Sequence, residues 1–508
     1  MPKVIVGEGL NWRFADWKTM LLYEKISRIA TKTPNKVAIV FEGRKILYSE
    51  FYEGINNLIH YFLRLGVTKG DRISWLGLNH YKAIEIFFAC ARVGAIFVPI
   101  NWRLSNIEIE KVLQDCEPTF IFYADQKFSA ELNYDPSIFV DASAQDLRVD
   151  SKKFHNYQMD VDLKSEVLIS YTSGSTGEPK GVVINQETIL SNANMSVEAH
   201  SLNKNDVVLN VLPIFHVGGL NILVTPALLL GATVLLHAKF DLDKMMEDLS
   251  ETTCAIFVPT ILKEIISSPQ FNSNSLNSIK TLSIGSTIVP IDLIEKIMSL
   301  GVKIIQLYGS TEVTPFAIHQ RNKDIENCVG SIGKEGADCS IKLIDKSGNE
   351  VVEGEVGEIC VKGNNVFSRY YGKNEKIFNN GWFRTGDLAY KDDRGNYWFA
   401  DRIKNVIISG GENIYPAEIE NIALRNSDFS VAAAVAKIDP KWGEVPVLFI
   451  EGKEVPNSNL LEHEAWDALA SYKRPREIRF LRMFPRNTMG KIKLDELRAI
   501  ANGKVSVD

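Results

Sequence analysis

Short apolar runs alternate with amphipathic segments along most of this 508-residue chain. Residues 73–77 and 95–100 have the length and composition of buried strands, and residues 83–93 between them have helical periodicity. A second series of the same kind runs from residue 186 to residue 258. Because alternating strands and helices build parallel sheets covered by helices on both faces, the pattern predicts an α/β fold with two doubly wound halves.

The later part of the chain has a different texture. Between residues 330 and 401, short strand patterns are separated by glycine-rich turns, which predicts a small β-unit. From about residue 405 onward, short helices and strands mix, and the chain ends in a basic segment. The length predicts roughly three to four domain-sized units, which large α/β enzymes often fuse into one body.

Composition excludes several classes of protein. Hydrophobic residues make up 45% and charged residues 24% of the chain, ordinary values that disfavour a disordered or membrane protein. A net charge of −6 disfavours a broad nucleic-acid surface, which needs clustered Lys and Arg. We therefore expect a protein that acts on small molecules.

The cysteines and the start of the chain bear on the cellular compartment of the protein. Six cysteines are scattered without a C-x-x-C pair, which favours reduced thiols in a cytoplasmic protein over a zinc site or a disulfide framework. The first eight residues lack the apolar segment of a signal peptide, so export is not expected. Residues 220–236 include Pro226 and Gly231 and predict a buried helix, turn and strand, with no transmembrane segment.

The stretch 171–183 carries the first sign of chemistry. It places three glycines, several Ser and Thr hydroxyls and Lys180 directly after the apolar residues 167–169. Glycines let backbone N–H groups approach an anion, hydroxyls add donors, and lysine adds a positive charge, so the stretch predicts a polyphosphate cradle. A solvated Gly/Ser linker is the alternative. The stretch is not a Walker loop. Pro179 stands where that pattern needs Gly, and Gly181 stands where it needs Ser or Thr.

Further motifs follow this loop in a fixed order along nearly the whole chain. They are residues 212–219 (LPIFHVGG), 308–312 (YGSTE), 381–387 (GWFRTGD), 401–404 (DRIK), 409–418 (SGGENIYPAE) and 485–491 (PRNTMGK). With the phosphate-loop candidate, this set resembles the AMP-forming adenylating superfamily of acyl- and aryl-CoA ligases, adenylation domains and beetle luciferases. Each motif alone is weak, whereas all of them in register are a strong signal.

The resemblance implies an architecture and a set of cofactors. A large N-terminal body, residues 1–403, would hold the two α/β subdomains and the β-unit, and residues 404–508 would form a small mobile α+β C-terminal domain. Lys404 stands where the C-terminal domain of such enzymes rotates; from the residues alone, a solvated lysine in a charged turn is the alternative. ATP, Mg²⁺ and CoA would be the partners besides the acid, and a homodimer is left open.

The resemblance also implies which residues contact the nucleotide. Tyr308 would pack on adenine, Asp387 would accept both ribose hydroxyls, and Arg402 would make a second ribose or phosphate contact. An Asp beside a glycine can also simply cap a turn, so that reading of Asp387 stays open. The family more often has a Gly-Ala-Pro type sequence where this chain has residues 285–287. The complete predicted set is Thr172, Ser173, Gly174, Ser175, Thr176, Gly177, Lys180, Ser286, Thr287, Tyr308, Gly309, Asp387 and Arg402.

The catalytic residues implied by the resemblance are Lys491, Glu312, Thr311 and His216. Glu312 would hold Mg²⁺ and Thr311 would touch phosphate, and one carboxylate plus substrate phosphates suits that ion. With the ordinary lysine pKa of about 10.4, Lys491 would be a fixed cation at neutral pH. In the second half-reaction the Ser409, Gly410 and Gly411 loop would face CoA.

The resemblance places an acyl pocket behind His216, with Gly219, Val313 and residues 314–315 as its lining. A histidine beside a strand end is more often structural when considered alone. None of the lining residues is Lys or Arg, which favours a neutral, largely apolar acid, and Asn221 could bind a ring hydroxyl. Gln186 stands where the family commonly has His, which we interpret as a difference in packing or orientation.

Together these features predict a carboxylic acid:CoA ligase of fatty or aryl acid metabolism that forms acyl-AMP and pyrophosphate before thioester formation. An adenylating enzyme that loads a carrier protein is the alternative among enzymes, and nothing in the sequence specifies a luciferase-like oxygenase. A non-catalytic nucleotide-binding relative is the alternative from another class. Retention of Lys491, Glu312 and Lys180 disfavours that last hypothesis.

Overall fold

The computed structural model describes residues 19–128, 132–143, 160–173, 179–272, 274–285, 289–321, 324–373, 377–425, 429, 431–452, 466, 469–487 and 490–505. Within these ranges strands and helices alternate as the sequence predicts, and the α/β fold class is confirmed. None of the described helices combines the length and apolar character needed to cross a bilayer.

Several helices begin where the sequence supplies a capping side chain. Ser105 precedes α4, its hydroxyl accepts a hydrogen bond from the N–H of Glu108, and the Glu108 carboxylate accepts one from the N–H of Ser105. The helices are α1 Leu22–Lys32, α2 Tyr48–Arg64, α3 Tyr81–Val93, α4 Asn106–Cys116, α5 Gln186–His200, α6 Thr225–Leu230, α7 Leu242–Asp248, α8 Pro259–Ser267, α9 Ile291–Ser299, α10 Pro416–Ala423 and α11 Leu494–Ala501.

The strands follow the apolar runs of the sequence. They are β1 Val37–Phe41, β2 Arg44–Leu47, β3 Arg72–Leu76, β4 Ile96–Ile100, β5 Phe120–Tyr123, β6 Phe139–Asp141, β7 Glu166–Ser173, β8 Pro179–Asn185, β9 Val207–Asn210, β10 Thr233–Leu236, β11 Cys254–Phe257, β12 Thr281–Gly285, β13 Ile304–Tyr308, β14 Ile318–His319, β15 Lys334–Glu335, β16 Cys339–Ile344, β17 Gly357–Gly363, β18 Arg369–Tyr370, β19 Phe378–Asn379, β20 Trp382–Lys391, β21 Tyr397–Arg402, β22 Ile407–Ser409, β23 Glu412–Ile414, β24 Ala432–Asp439, β25 Gly443–Glu451 and β26 Glu477–Leu481.

Two sheets with parallel centres form the large body. The first has the order β15-β14-β13-β12-β11-β9-β10-β1-β2, and the second has the order β18-β8-β7-β4-β3-β5-β6. The main hydrophobic core joins both sheets to α1, α2, α3, α5 and α6, with Phe51, Phe87 and Phe97 fully buried. Each such side chain contributes about 1.5–3 kcal/mol relative to an exposed one.

Two strand placements differ from the order of the sequence. The β1–β2 hairpin joins the first sheet, where β1 pairs with β10, although the strands that follow it build the second sheet. β18 joins the second sheet and not the small β-unit. Local patterns identify strands, whereas pairing depends on which apolar faces meet across the core.

Two smaller antiparallel sheets complete the fold. The third sheet, β16-β17-β20-β19 with β21 beside β20, is the predicted small β-unit. The fourth, β23-β22-β25-β24 with β26 beside β25, packs against α10 and α11 and matches the predicted α+β unit. All six cysteines are free thiols, and only Cys339 among them is not fully buried.

The departure at Gln186 has a packing explanation. Its side chain is 1% exposed, its amide N–H donates to the carbonyl of Ala91 at 2.9 Å, and its amide oxygen accepts from the N–H of Leu22 at 3.1 Å. Gln186 therefore ties α5 to α3 and α1 inside the core. The interpretation of this residue as a packing difference is confirmed.

Candidate active site

The carboxyl ends of β12 and β13 form one wall of the site. Gly285 ends β12 and pairs with Leu307, and Tyr308 ends β13 directly after it. A Cβ on Gly309 would lie 2.2 Å from the carbonyl oxygen of Pro315, so only glycine fits where the chain leaves the strand. Tyr308 is buried at the strand end, where α/β sheets usually bind ligands.

Asp387 lies beside Tyr308 although it comes from the third sheet. The Tyr308 hydroxyl donates to Asp387 Oδ2 at 2.8 Å, and Arg402 Nε lies 3.2 Å from Asp387 Oδ1. The register of β20 on β21, which pairs Asp387 with Arg402, brings the two side chains together. Burial raises the pKa of Asp387, while the Arg402 charge and the Tyr308 hydroxyl oppose that rise.

Glu312 lies in the 3₁₀ turn Thr311–Val313 that follows Tyr308. Its carbonyl accepts from the N–H of Phe367 at 2.9 Å, and its Oε1 accepts from the Tyr370 hydroxyl at 3.0 Å. Thr311 and Val313 on either side of it are buried. Glu312 is therefore held through both its backbone carbonyl and its side-chain carboxylate.

The phosphate-loop candidate joins two antiparallel strands, β7 and β8. Thr172 pairs with Lys180, and its hydroxyl donates to the carbonyl of Lys180 at 3.4 Å. Lys180 Nζ lies 5.4 Å from the centroid of the Tyr370 ring. Outside the described residues lie Gly174, Ser175, Thr176, Gly177, Ser286, Thr287 and the side chain of Ser173.

Lys491 reaches this site from the C-terminal end of the chain. Its pKa is lowered by burial of the ammonium group and by the Arg402 charge, while Asp387 and Glu312 act in the opposite direction. The residue as a whole is solvent-exposed. The pKa of Lys491 is therefore below the ordinary lysine value used in the sequence analysis, and its role as a cation at neutral pH stays a prediction.

His216 caps a buried helical segment next to the site. Its Nδ1 accepts from the N–H of Gly218 at 3.0 Å, and burial together with the Lys491 charge lowers its pKa to about 4. The turn Val217–Gly219 and the π-helical turn Leu220–Val224 lead from it into α6. A Cβ on Gly219 would lie 2.2 Å from the carbonyl oxygen of Pro213, so this position also requires glycine.

The helical segment after His216 buries polar groups among apolar ones. Asn221 is 0% exposed, and its amide Nδ2 finds no hydrogen-bond partner within the described ranges. Its carbonyl accepts from Asn192 Nδ2 at 2.6 Å, whereas Asn192 Oδ1 is also buried without a partner there. Each unpaired buried group costs about 1–3 kcal/mol unless a ligand or water satisfies it.

The chain leaves the third sheet through an exposed 3₁₀ turn, Ile403–Asn405, that contains Lys404. The buried Asp401 carboxylate just before it accepts from the N–H of Ala417 in α10 at 3.0 Å and from Asn405 Nδ2 at 3.2 Å. Beyond the turn, Ser409, Gly410 and Gly411 form the hairpin between β22 and β23, and the Gly410 N–H donates to Trp442.

The metal expectation is consistent with the donors present. The described ranges contain no cluster of three or more His, Cys, Asp or Glu side chains able to hold a metal ion by themselves. Glu312 is thus a single carboxylate near a phosphate-loop lysine. Mg²⁺ is typically bound by one or two carboxylates plus substrate phosphates, so the residues fit that ion.

Comparison with known proteins agrees with this geometry. A family model described as AMP-binding enzyme matches residues 26–371, and a model of the AMP-binding enzyme C-terminal domain matches residues 418–491. The chain belongs to the AMP-binding enzyme family. The second family model ends at Lys491, the last residue of the 485–491 motif.

Individual relatives of this AMP-binding enzyme cover it almost end to end. It is 36% identical to an indoleacetate–CoA ligase of Aromatoleum aromaticum, with 96% of this chain and 100% of the relative covered. It is 34% identical to a feruloyl-CoA synthase of an Amycolatopsis species, with 93% and 97% covered. An o-succinylbenzoate CoA synthetase of Bacillus subtilis, solved with its acyl-adenylate intermediate, superposes with a TM-score of 0.82 at 27% identity, covering 94% and 98%. The same synthetase has been solved with ATP and a magnesium ion.

Sequence reasoning missed two residues that contact the predicted site of this AMP-binding enzyme. Tyr370 contacts both Glu312 and Lys180, and Asp401 joins the third sheet to α10. Asp401 opens the 401–404 motif, which was a signal that it lies near the site. Tyr370 carries no comparable signal, because its position depends on how β18 pairs with β8.

Proposed function

We propose that this protein is an AMP-forming carboxylic acid:CoA ligase. The observation that supports it best is the cluster in which Asp387 accepts from Tyr308 at 2.8 Å and lies 3.2 Å from Arg402. The charges of Asp387 and Glu312 also act on Lys491 of the C-terminal unit. Glu312 and Asp387 are 75 residues apart in sequence and Asp387 and Lys491 are 104 apart. Adenylation requires all three charges at one place.

Adenylation joins two anions, because the substrate carboxylate attacks the α-phosphate of ATP. In our proposal Asp387 binds the ribose, Tyr308 flanks adenine, and Lys180 and Thr172 border the phosphate loop. Lys491 supplies a positive charge where negative charge develops in the transition state. Glu312, with Thr311 beside it, would hold Mg²⁺, which supplies further charge neutralisation. His216, neutral at pH 7 because of its low pKa, closes the site without adding a charge.

The proposal divides the chain into a body of residues 1–403 and a mobile unit of residues 404–508. The charges of Arg402, Asp387 and Glu312 act on the Lys491 ammonium group, which supports an adenylating arrangement with Lys491 at the site. Thioester formation requires Lys491 to leave and the Ser409, Gly410 and Gly411 hairpin to replace it. The exposed turn at Lys404 provides a connection that can absorb the dihedral changes.

We propose an aryl acid, or an apolar acid of similar shape, as the substrate. Residues 217–225 and 313–317 carry no charged side chain, which disfavours a second carboxylate on the acyl group. The unpaired amide of Asn221 offers a donor to a polar ring substituent. The indoleacetate and feruloyl relatives, whose names describe aromatic acids with such polar groups, support this choice.

The six free cysteines support a reducing, cytoplasmic setting for the enzyme. CoA as the acyl acceptor is supported by the CoA ligases among the relatives. A homodimer is part of the same proposal and can be measured by light scattering.

An acid panel tests the proposal. Aryl acids such as indoleacetate and ferulate, linear fatty acids and dicarboxylates are each incubated with ATP, Mg²⁺ and CoA, and AMP and acyl-CoA are quantified. We expect CoA-dependent AMP release that is greatest with aryl acids. Pyrophosphate exchange without thioester formation would favour a carrier-protein acceptor, and absence of exchange with every acid would contradict the proposal.

A further inference from the structure

Tyr370 lies at the edge of the second sheet, between two residues of the proposed nucleotide site. It pairs with Val182 of β8, and Lys180 is two residues from Val182. Lys180 and Tyr370 are therefore diagonal neighbours on one face of the sheet. The 5.4 Å between the ammonium nitrogen and the ring centroid is a cation–π distance, and Tyr370 is only 8% exposed.

The hydroxyl end of the same side chain contacts Glu312. The Tyr370 hydroxyl donates to Oε1 at 3.0 Å, and the N–H of Phe367 donates to the carbonyl of Glu312 at 2.9 Å. A hydrogen bond to a carboxylate restricts its rotamers. Phe367 thus fixes the backbone of Glu312, and Tyr370 orients its carboxylate.

The neighbouring Tyr371 provides an internal comparison. It faces the other side of the strand, where a Cβ on Gly181 would lie 3.1 Å from the Tyr371 Cβ. Its ring lies 5.7 Å from the guanidinium carbon of Arg369. Tyr371 therefore has the same chemistry as Tyr370 and directly follows β18, but it has a different set of contacts.

We infer that Tyr370 is a positioning residue that holds the Glu312 carboxylate and the Lys180 ammonium in one arrangement before Mg²⁺ and ATP bind. The inference rests on the proposed ligase function, which gives these two groups their ligands. Ordering both groups in advance lowers the entropy cost of binding the metal–nucleotide complex. The hydroxyl acts on the metal ligand, and the ring acts on the phosphate-loop lysine.

Equilibrium binding separates these two contributions. Calorimetric titration with ATP is carried out in Mg²⁺ and in EDTA for the wild type, Tyr370→Phe, Tyr370→Leu and Tyr371→Phe. Loss of the hydroxyl alone should weaken binding in Mg²⁺ about tenfold, the scale for removing a partner of a metal ligand, and leave binding in EDTA unchanged. Tyr370→Leu, which also loses the ring, should weaken binding in both conditions, and Tyr371→Phe should match the wild type.

Three outcomes would overturn the role of Tyr370. They are a Tyr370→Phe variant that binds as the wild type does, one that loses affinity equally with and without Mg²⁺, and a Tyr371→Phe variant with the same loss as Tyr370→Phe. If Tyr370→Leu does not fold, the comparison of Tyr370→Phe in Mg²⁺ and EDTA still decides. A wild-type protein that binds no ATP in Mg²⁺ would instead contradict the proposed function.

Discussion

The hydroxyl of Tyr308 and the carboxylate of Asp387 are hydrogen-bonded at 2.8 Å, although one residue ends a strand of the first sheet and the other lies in the third. The contact joins the proposed adenine wall to the proposed ribose ligand. Because Asp387 is buried, its charged form depends on Tyr308 and Arg402. The geometry of the nucleotide site and the charge of one of its ligands are therefore coupled.

Replacing Tyr308 by Phe should shift the pH dependence of ATP use. The hydroxyl stabilises the charged carboxylate, so its loss raises the already elevated pKa of Asp387 further. As pH falls, Asp387 becomes protonated at a higher pH than in the wild type and loses an acceptor for ribose. The acid-side rise in KM for ATP should move up by about one pH unit, the scale for a hydrogen bond to a charged group. Pyrophosphate exchange from pH 5 to 8 measures it.

The matched control for that variant is Tyr390→Phe, since Tyr390 lies on β20, the strand that carries Asp387, but its ring stacks on Trp398. Its KM profile should follow the wild type. An unshifted profile for Tyr308→Phe would mean that Asp387 does not control ATP binding through its charge.

Replacing Lys491 by Ala should slow formation of acyl-AMP by roughly 10²–10³-fold, the scale for removing one group that stabilises transition-state charge. Thioester formation from preformed acyl-AMP should be retained, because the proposal withdraws Lys491 in that step. Lys493→Ala is the control, as Lys493 pairs with Glu496 at 2.8 Å outside the site. Unchanged pyrophosphate exchange in Lys491→Ala would disprove the role of Lys491.

A proline at position 404 should slow the second half-reaction, thioester formation, and preserve the first, acyl-AMP formation. Proline fixes φ, so Lys404→Pro should hold the adenylating arrangement and preserve pyrophosphate exchange. Thioester formation from acyl-AMP should slow roughly tenfold or more, which corresponds to about 1.4 kcal/mol in the barrier. Lys404→Ala, which removes the charge and leaves φ free, should retain both rates. Normal thioester formation in Lys404→Pro would rule out a hinge at this residue.

Glu420 should make stability depend on pH. Burial raises its pKa to about 8, while its carboxylate accepts from the N–H of Ala434 at 2.9 Å. The folded state therefore binds the proton more tightly than the unfolded chain, where the pKa is about 4.3, and this stabilisation is lost progressively as pH rises from about 4.3 to about 8. Glu420→Gln keeps an acceptor and stays neutral, so it should exceed the wild type in unfolding temperature at pH 9 and match it below about pH 4.3.

The size of the Glu420 effect follows from linkage, since each pKa unit corresponds to about 1.4 kcal/mol. Glu496→Gln, on an exposed pair with Lys493, is the control and should show no such trend. A difference between Glu420→Gln and the wild type that does not grow with pH would contradict the prediction.

The sequence predicted the elements of the fold better than their pairing. The apolar run identified β10 and the helix before it correctly, because short apolar runs favour buried strands and a turn residue such as Gly231 ends the helix. Periodicity could not predict that β1 would pair with β10. Residues 39 and 234, which pair there, are far apart in sequence, and their pairing depends on how distant apolar faces pack. For the same reason β18 was assigned to the wrong unit.

The candidate site likewise contains residues that the sequence predicted and features that it did not. Motifs predicted Tyr308, Asp387 and Arg402, and the structure brings the three together. Tyr370 escaped prediction because its two contacts arise from strand register and not from spacing. The lowered pKa of Lys491 also escaped it, since burial of one ammonium group depends on the position of a whole C-terminal unit.

The hydrogen bond from Ala417 to Asp401 has a kinetic consequence. Its acceptor precedes Lys404 in the chain and its donor follows it, so a rotation at Lys404 that carries α10 away must break the bond. When α10 moves away, the N–H of Ala417 and the buried carboxylate of Asp401 would both need new hydrogen-bond partners. If the C-terminal unit rotates once per catalytic cycle, this hydrogen bond breaks and re-forms in every cycle. The strength of one carboxylate contact would then set part of the turnover rate.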